Sequence, residues 1–160
     1  DASLAKSLGR ANAGVPDELE TKIREHPVRT TSQVKNWGEA CDATANGYPV
    51  IIGASTAFKT DRWGQTMVDS DGFMTVDPRD KWPHAWLLFG IDTESGRDGG
   101  LLASSWGKNW IAESKHVIPT PAGCGWADGR VLDSMIRQGE ASAISNFVGY
   151  PRRKLDYTLI

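Results

Sequence analysis

The sequence predicts an α+β protein in which an antiparallel β-sheet is packed by one amphipathic helix and one shorter helix towards the C-terminus. Short apolar runs bounded by glycine and proline recur through the middle of the chain, a pattern typical of buried strands. Between residues 30 and 46 the apolar side chains recur instead at steps of three and four residues, which is the helical period. A length of 160 residues is enough for one domain with a buried core.

Charge and composition argue against several classes of function. The chain carries 18 lysines and arginines against 20 aspartates and glutamates, a net charge of −2, and its basic run, Arg152–Lys154, is short. This balance gives no broad cationic surface for phosphates, so a nucleic-acid partner is disfavoured. No apolar run approaches the roughly 18 to 20 residues that cross a bilayer, and the start of the chain lacks a signal region. We expect a soluble chain without a membrane partner, and its location stays open.

The N-terminal stretch, residues 1–27, is polar and interrupted by glycine and proline. Pro16-Asp17-Glu18 is a typical start for a helix, which would be short and end near His26. We therefore expect an extended arm with a short helix, followed by a β-rich domain over residues 28–160.

The amphipathic helix is predicted over Thr30–Asn46. Thr31 or Ser32 is suited to cap its start, and Gly47 to end it. Four side chains at helical spacing would share its buried face: Val34, Trp37, Cys41 and Ala45.

The remaining elements are predicted to be strands and one short helix. Five segments have the apolar pattern of strands bounded by turn residues: Tyr48–Gly53, His84–Ile91, Gly99–Gly107, Cys124–Ala127 and Ala141–Tyr150. The polar turn Asp92–Asp98 joins the second and third of these, so we expect them to pair as an antiparallel hairpin. Asp128–Gln138 has the spacing of a short helix.

His84 is a candidate for acid–base chemistry because it opens an apolar strand directly after the Trp82-Pro83 turn. An imidazole at a strand edge would face a cleft. Histidine is the usual general base for a thiol or hydroxyl nucleophile, but a second group must fix its ring and its tautomer. The alternative is a structural histidine in a turn, and the residue alone does not decide between the two.

Three motifs that follow one another along the chain favour the general base over the structural histidine. They are Gly47-Tyr48-Pro49-Val50, His84-Ala85 leading through Gly90-Ile91, and Ser104-Ser105-Trp106-Gly107 followed by Trp110. Together they resemble the C-terminal half of the papain-like cysteine peptidases. That family has a strand near Gly-x-Pro-Val, a His-Ala strand that ends in Gly-Tyr, and Asn-Ser-Trp-Gly with another tryptophan after it. The match spans Val28 to about Trp110. It implies a papain-like fold whose β-rich half is an antiparallel, barrel-like sheet with one packed helix.

The resemblance also implies roles for three residues. His84 would be the general base that takes the proton of a thiol. Ser104 stands where the family has the asparagine that orients the imidazole, and Trp106 matches the tryptophan that shields this contact from water. Ser104 departs from the family pattern, and because its hydroxyl is shorter than a carboxamide we expect it to reach the imidazole only through water.

The family's nucleophilic cysteine begins a helix in an N-terminal half, after an oxyanion-stabilising glutamine, and this chain contains no such segment. The implied function is peptide-bond hydrolysis by thiol attack, with His84 as base and the cysteine supplied from outside this chain. Its partner would be a peptide or protein substrate, or the chain that carries the N-terminal half. The alternative is a catalytically silent fold that serves as a binding or assembly module, for example in a virus particle, where an oligomer is possible.

Cys41 and Cys124 are the two thiols of the chain. Cys41 lies on the predicted buried face of the helix, where a thiol has a raised pKa and low reactivity. Cys124 lies between Gly123 and Gly125, where the backbone could expose it, but no basic residue is near it in the sequence. It is therefore only a weak candidate for an internal nucleophile paired with His84, and this self-contained hydrolase is the third alternative.

The sequence predicts no metal site and no cofactor. Asp69-Ser70-Asp71-Gly72 is similar to the middle of a calcium loop, but Met67 and Pro78 would occupy its first and last ligand positions, so a β-turn is the better interpretation. The three histidines are scattered, and the two isolated cysteines do not complete a zinc pattern.

Overall fold

The computed structural model describes residues 21, 24, 25, 28 and 30–145 of the chain. It has the α+β class and the antiparallel sheet predicted from the sequence. The six strands of this sheet are β1 Thr30–Gln33, β2 Val50–Ala54, β3 His84–Asp92, β4 Gly99–Ala103, β5 Cys124–Asp128 and β6 Glu140–Ser145, and they lie in the order β1-β6-β2-β3-β4-β5. Within residues 30–145 there are two helices, α1 Trp37–Ala45 and α2 Gly129–Ile136.

The predicted hairpin is confirmed, because β3 and β4 pair in antiparallel register from Leu87 opposite Ala103 to Asp92 opposite Gly99. A bulge between Leu88 and Gly90 shifts this register. The other predicted strands are present with altered ends. The last strand was expected to reach Tyr150, which lies outside the described residues.

The predicted helix Thr30–Asn46 is wrong at its start, because α1 begins only at Trp37. Residues Thr30–Gln33 form β1, which pairs with β6 at one edge of the sheet. The helix starts only after Asn36, whose side-chain Oδ1 accepts a hydrogen bond of 2.9 Å from the Glu39 N–H. Asn36 therefore caps the helix, in place of Thr31 or Ser32.

This later start also changes the buried face of α1. Ala40 is completely buried, Trp37 packs against the core, and Cys41 is half-buried. Ala45, predicted to be buried, is exposed. The inward-facing stripe follows the true helix start.

The main hydrophobic core lies between one face of the sheet and the two helices. Its fully buried members include Val50, Ile52, Trp86, Leu88, Leu102, Leu132 and Met135. The predicted short helix is confirmed as α2, and its N-cap Asp128 accepts a hydrogen bond from the Arg130 N–H at 2.8 Å. A smaller cluster of Phe73, Leu101 and Trp126 packs on the opposite face of the sheet.

Part of that opposite face is not covered by any other described residue. Ile51 on β2 pairs with Leu87 on β3, and Phe89 follows on the same side of β3. These three side chains are 37–43% exposed, and we call them the exposed sheet face. Contiguous apolar side chains on a surface commonly mark a contact with another polypeptide.

The Asp69–Gly72 segment is a β-turn, as predicted, with the Gly72 N–H donating to the Asp69 carbonyl at 3.1 Å. Its carboxylates bind an arginine: Arg97 Nη1 lies 2.7 Å from Asp69 Oδ2 and 3.3 Å from Asp71 Oδ2. Arg97 Nε lies 2.8 Å from Asp128 Oδ2. In the described part of the chain, no group of three or more His, Cys, Asp or Glu side chains is arranged to hold a metal ion.

The predicted arm, residues 1–27, lies almost entirely outside the described residues, as do the Pro16–Glu18 helix start and His26. Thr21, Arg24 and Glu25 are described, and all three are helical and exposed. Among the described helices, none combines the length and apolar character needed to span a membrane.

Candidate functional site

His84 and Ser104 lie together on the side of the sheet that carries the main core. His84 is the first residue of β3, and Ser104 directly follows the last residue of β4. Pairing of these two strands brings His84 Nε2 to 3.0 Å from Ser104 Oγ. This is a direct hydrogen bond, so the expectation that the hydroxyl reaches the imidazole only through water is wrong.

Two tryptophans enclose the imidazole. The Trp106 ring is stacked on His84, with centroids 4.1 Å apart and an angle of 24° between the planes. Trp86, which is fully buried, meets the same ring edge-on at 4.7 Å. The backbone N–H of Trp106 also donates to Ser104 Oγ at 3.4 Å, so the residue that covers the imidazole is linked to the hydroxyl that binds it.

This enclosure affects the titration and the tautomer of His84. Burial lowers its pKa below the usual value of about 6.5, so the ring is neutral at pH 7. Ser104 is the hydrogen-bond partner of Nε2, and within the described residues no group bonds to Nδ1. The neutral ring therefore has one nitrogen held by Ser104 and one nitrogen free to exchange a proton with another molecule.

A larger aromatic cluster supports the loop that carries Trp106. Trp110 packs against both Trp86 and Trp106, each with a centroid distance of 5.5 Å. Its indole N–H donates to the Gly123 carbonyl at 2.8 Å. Trp82 lies 5.1 Å from Trp106 on the outer side. The segment from Ser104 to Trp110 is thus held at both ends, which fixes Trp106 over the imidazole.

An open groove of about 450 Å³ lies beside His84. Gln138 forms part of its wall, and its Oε1 accepts a hydrogen bond of 2.7 Å from the Ser55 N–H. The groove is lined by Gly53, Ala54, Ser55, Pro83, His84, Ala85, Gln138 and Glu140. It is large enough to hold an amino-acid side chain.

Neither cysteine of the chain shares this site. Cys124 packs with Phe73, Leu101 and Trp126, on the face of the sheet opposite to the one that His84 shares with Trp86. Burial raises its pKa. Cys41 lies on α1, and burial, followed by the nearby Asp98 and Asp42 carboxylates, raises its pKa to about 11. Both thiols are therefore poor nucleophiles.

A second histidine pair was missed by sequence reasoning. His116 Nε2 lies 3.4 Å from Asp92 Oδ2, and the two side chains are 2% and 4% exposed. The His116 ring stacks on Trp126 at 4.1 Å. Its Nδ1 accepts a hydrogen bond of 3.2 Å from the Ile118 N–H, so the ring proton is on Nε2 and faces the carboxylate. The pair fastens the loop after Ile111 to the sheet.

The carboxylate of Asp92 is held ionised at this buried position. Burial by itself would raise its pKa, but hydrogen bonds from Ser95 and Glu94 and the nearby His116 lower it below the usual value. Asp92 Oδ1 accepts the Glu94 and Ser95 N–H groups at 3.0 and 3.1 Å. No local motif links Asp92 to His116, and only the folded chain brings them together.

No protein-family model matches the chain, and the curated proteins contain no significant match to it. The candidate functional site is the arrangement around His84: an oriented neutral imidazole, an aromatic cover and an adjoining groove.

Proposed function

We propose that this chain is the histidine-bearing half of a papain-like cysteine peptidase, with a barrel-like antiparallel sheet. It would hydrolyse peptide bonds when a nucleophilic cysteine from outside this chain lies beside His84. The observation that supports this proposal most directly is the 3.0 Å contact between His84 Nε2 and Ser104 Oγ beneath the stacked Trp106. Each of these three residues also stands at the matching position of the family motifs.

The free nitrogen of His84 is suited to the base role. Because Ser104 bonds to Nε2, Nδ1 is the atom that would accept the proton of a cysteine thiol. A pKa below the usual value keeps the ring neutral, and a general base must be unprotonated to act. The thiolate would then attack the peptide carbonyl carbon. His84 would return the proton to the departing amine, and a water molecule deprotonated by His84 would hydrolyse the thioester.

The thiol has to come from another segment because the chain's own cysteines are misplaced. Cys124 lies on the other side of the sheet, and Cys41 carries a pKa of about 11. The exposed sheet face supports the presence of a covering polypeptide. It continues along β3 from Ala85, the neighbour of His84, to Leu87 and Phe89. Ala85 and His84 point to opposite faces of β3, so a segment that packs on this face would have to pass round the start of β3 to bring a thiol to the imidazole.

A catalytically silent binding or assembly module is the second candidate function. Two observations favour it: a hydroxyl at Ser104 replaces the family's carboxamide, and within the described residues no thiol adjoins His84. In this case the exposed sheet face would be the surface on which a stable partner packs.

Covalent labelling tests the peptidase proposal. The chain would be produced from its reading frame together with any coding sequence that precedes Asp1, and treated with a thiol-directed epoxide. We expect label on a cysteine outside residues 1–160, and a strong reduction in His84→Ala. The double variant Cys41→Ser/Cys124→Ser is the control and should be labelled like the parent protein. Labelling that is unchanged in His84→Ala would exclude the base role. An unlabelled protein that forms a stable oligomer would support the module.

A further inference from the structure

The contact between His84 and Ser104 also has the geometry of a nucleophilic serine and its base. Ser104 Oγ lies 3.0 Å from His84 Nε2, within the range of about 2.6–3.2 Å that is typical of such pairs. A hydroxyl can donate as well as accept, so when the ring proton is on Nδ1 the Ser104 hydroxyl donates to Nε2. Both residues are half-buried, and neither is sealed in the core. The chain therefore holds a hydroxyl next to a base of its own.

Two backbone N–H groups follow Ser104 and are available to a negatively charged oxygen. The Ser105 N–H makes no hydrogen bond to any residue within 30–145. The Trp106 N–H donates to Ser104 Oγ over 3.4 Å, which is a long and weak bond. The N–H of the residue after a nucleophilic serine is a common donor to the oxyanion of acyl transfer. An ester carbonyl at Ser104 would thus meet donors beside the nucleophile.

We infer that Ser104 is itself a catalytic nucleophile, and that the chain hydrolyses small activated carboxylic esters without a second polypeptide. His84 Nε2 takes the hydroxyl proton as Oγ bonds to the carbonyl carbon. The bond from this carbon to the leaving oxygen then breaks, and His84 gives the proton to that oxygen. A water molecule deprotonated by Nε2 cleaves the acyl–serine ester and restores the hydroxyl. Trp106 covers one face of the ring, so the acyl group has to be small.

This activity goes beyond the proposed function and does not rest on it. The thiol reaction uses Nδ1 of the tautomer that is protonated at Nε2, whereas the serine reaction uses Nε2 of the tautomer that is protonated at Nδ1. The second tautomer needs to be only a minor population, and the rate falls in proportion to its share. Because no cysteine takes part in the serine reaction, the two proposals can fail separately.

Treatment of the 160-residue chain with p-nitrophenyl acetate tests the serine reaction. We expect a burst of about one nitrophenol per chain, then slow turnover, with an acetyl group on Ser104 by peptide mass spectrometry. The burst rate should rise with pH as His84 loses its proton and level off above about pH 6.5, since the pKa of the ring lies below this value. A rate that keeps rising with pH would indicate attack driven by hydroxide and would overturn the role of His84.

Three variants separate the dyad from general reactivity. His84→Gln keeps a hydrogen-bonding group beside Ser104 but cannot take its proton, so acetylation of Ser104 should be about 100-fold slower. Ser70→Ala is the control, because Ser70 is an exposed serine whose hydroxyl contacts Asp71 and no imidazole, and it should react like the parent chain. Ser104→Cys places a thiol beside the same imidazole. Iodoacetamide should label this thiol faster than Cys124, whose pKa is raised by burial.

The inference is overturned if Ser104 carries no acetyl group, if His84→Gln acetylates it as fast as the parent chain, or if Ser104→Ala keeps the burst. Slower labelling of the thiol in Ser104→Cys than of Cys124 would also overturn it. A burst without later turnover would remove the hydrolysis step. The peptidase proposal is judged separately, by label on a cysteine outside residues 1–160.

Discussion

The indole of Trp106 lies nearly parallel to the imidazole of His84, with ring centroids 4.1 Å apart. Trp106 itself is 43% exposed, so it stands between the imidazole and the solvent. The hydrogen bond to Ser104 fixes the ring in its plane, and the stacked indole limits its access to water. Packing and hydrogen bonding thus control different properties of the same histidine, and the two can be separated by substitution.

Removing the cover should raise the pKa of His84. Burial is the cause of its lowered pKa, so Trp106→Ala should return the value towards about 6.5. NMR titration of the imidazole measures this change. The pKa of His84 is lower in the folded chain than in the unfolded chain, so protonation of this ring favours unfolding. Its full contribution to the free energy of unfolding is present above about pH 6.5 and is lost as the pH falls through the folded pKa. Trp106→Ala should reduce this loss.

Trp63→Ala is the control for this titration. Trp63 is 71% exposed, and its indole stacks with Arg62 and makes no ring contact with His84. The pKa of His84 should be the same in this variant as in the parent chain. An equal change in both variants would show that burial by Trp106 is not the cause of the lowered value.

Removing the Ser104 hydroxyl should release the tautomer of His84. The Ser104 hydroxyl, 3.0 Å from Nε2, can either donate or accept, but the proposed base role leaves Nδ1 unprotonated and puts the ring proton on Nε2, so the parent chain should show mainly this tautomer. In Ser104→Ala we expect a mixture of both tautomers and a loss of about 1 kcal/mol in the free energy of unfolding, the usual net value of such a bond. Ring nitrogen chemical shifts and urea unfolding measure the two effects. A single tautomer in Ser104→Ala would show that Trp106 and Trp86 alone orient the ring.

Arg97 should be important for stability because three carboxylates converge on it. Arg97→Met would keep an apolar stem over Phe73, which the guanidinium now covers at 4.2 Å, while Asp69, Asp71 and Asp128 would lose their cation. We expect a loss of about 1–2 kcal/mol, reduced by solvent because Arg97 is 37% exposed.

Arg79→Met is the matched control for this substitution. Arg79 pairs with Asp77 on the surface and is 84% exposed, so its removal should move the midpoint of urea unfolding less than Arg97→Met does. Equal shifts of the urea midpoint in the two variants would show that the ion pairs of Arg97 stabilise the fold no more than an exposed surface pair does.

Asp92→Asn should destabilise the fold although the shape of the side chain is kept. Asp92 Oδ1 accepts the Glu94 and Ser95 N–H groups, and Oδ2, which is buried and has no hydrogen-bond partner among the described residues, lies 3.4 Å from His116 Nε2. In the variant, the NH₂ group of the side-chain amide would face either the Glu94 and Ser95 N–H groups or His116 Nε2, so in both orientations two donors would face each other. Changing the tautomer of His116 would only move the conflict to the Ile118 N–H. We expect a loss of about 1–3 kcal/mol by urea unfolding.

The same variant should also lose part of its acid sensitivity. The pKa of Asp92 is below its usual value in the folded chain, so its contribution is present above about pH 3.9 and is lost as the pH falls through the folded value. Asp92→Asn should therefore unfold with a shallower dependence on acid below pH 4. Asp80→Asn, at an exposed position, should follow the parent curve. If the free energy of unfolding of Asp92→Asn still falls steeply below pH 4, the acid sensitivity belongs to other carboxylates.

Elements with strong local signals could be predicted from the sequence. The β3–β4 hairpin has two apolar runs and a polar turn between them, and α2 has regular apolar spacing. The start of α1 could not be located this way, because Val34 continues the helical spacing while Thr30–Gln33 pairs with a strand from the far end of the chain. Tertiary pairing decided the conformation of this segment.

The candidate site was predictable only where the residues follow one another in a motif. His84, Ser104 and Trp106 were identified together because they stand in order in the family motifs. The His116–Asp92 pair was not found because its members lie on a loop and at a strand end with no common pattern.

The place of β6 between β1 and β2 has a consequence for how this chain forms its structure. Each residue of β1 pairs with a β6 residue more than a hundred positions later, and β2 obtains its second neighbour from the same late strand. During synthesis the hairpin β3–β4 and its neighbour β5 can assemble first, but two early strands stay incomplete until Glu140–Ser145 has left the ribosome. Such distant pairings slow folding. A chain truncated before residue 140 should therefore lose its cooperative unfolding transition, whereas removal of an edge strand alone would leave the rest of the sheet folded.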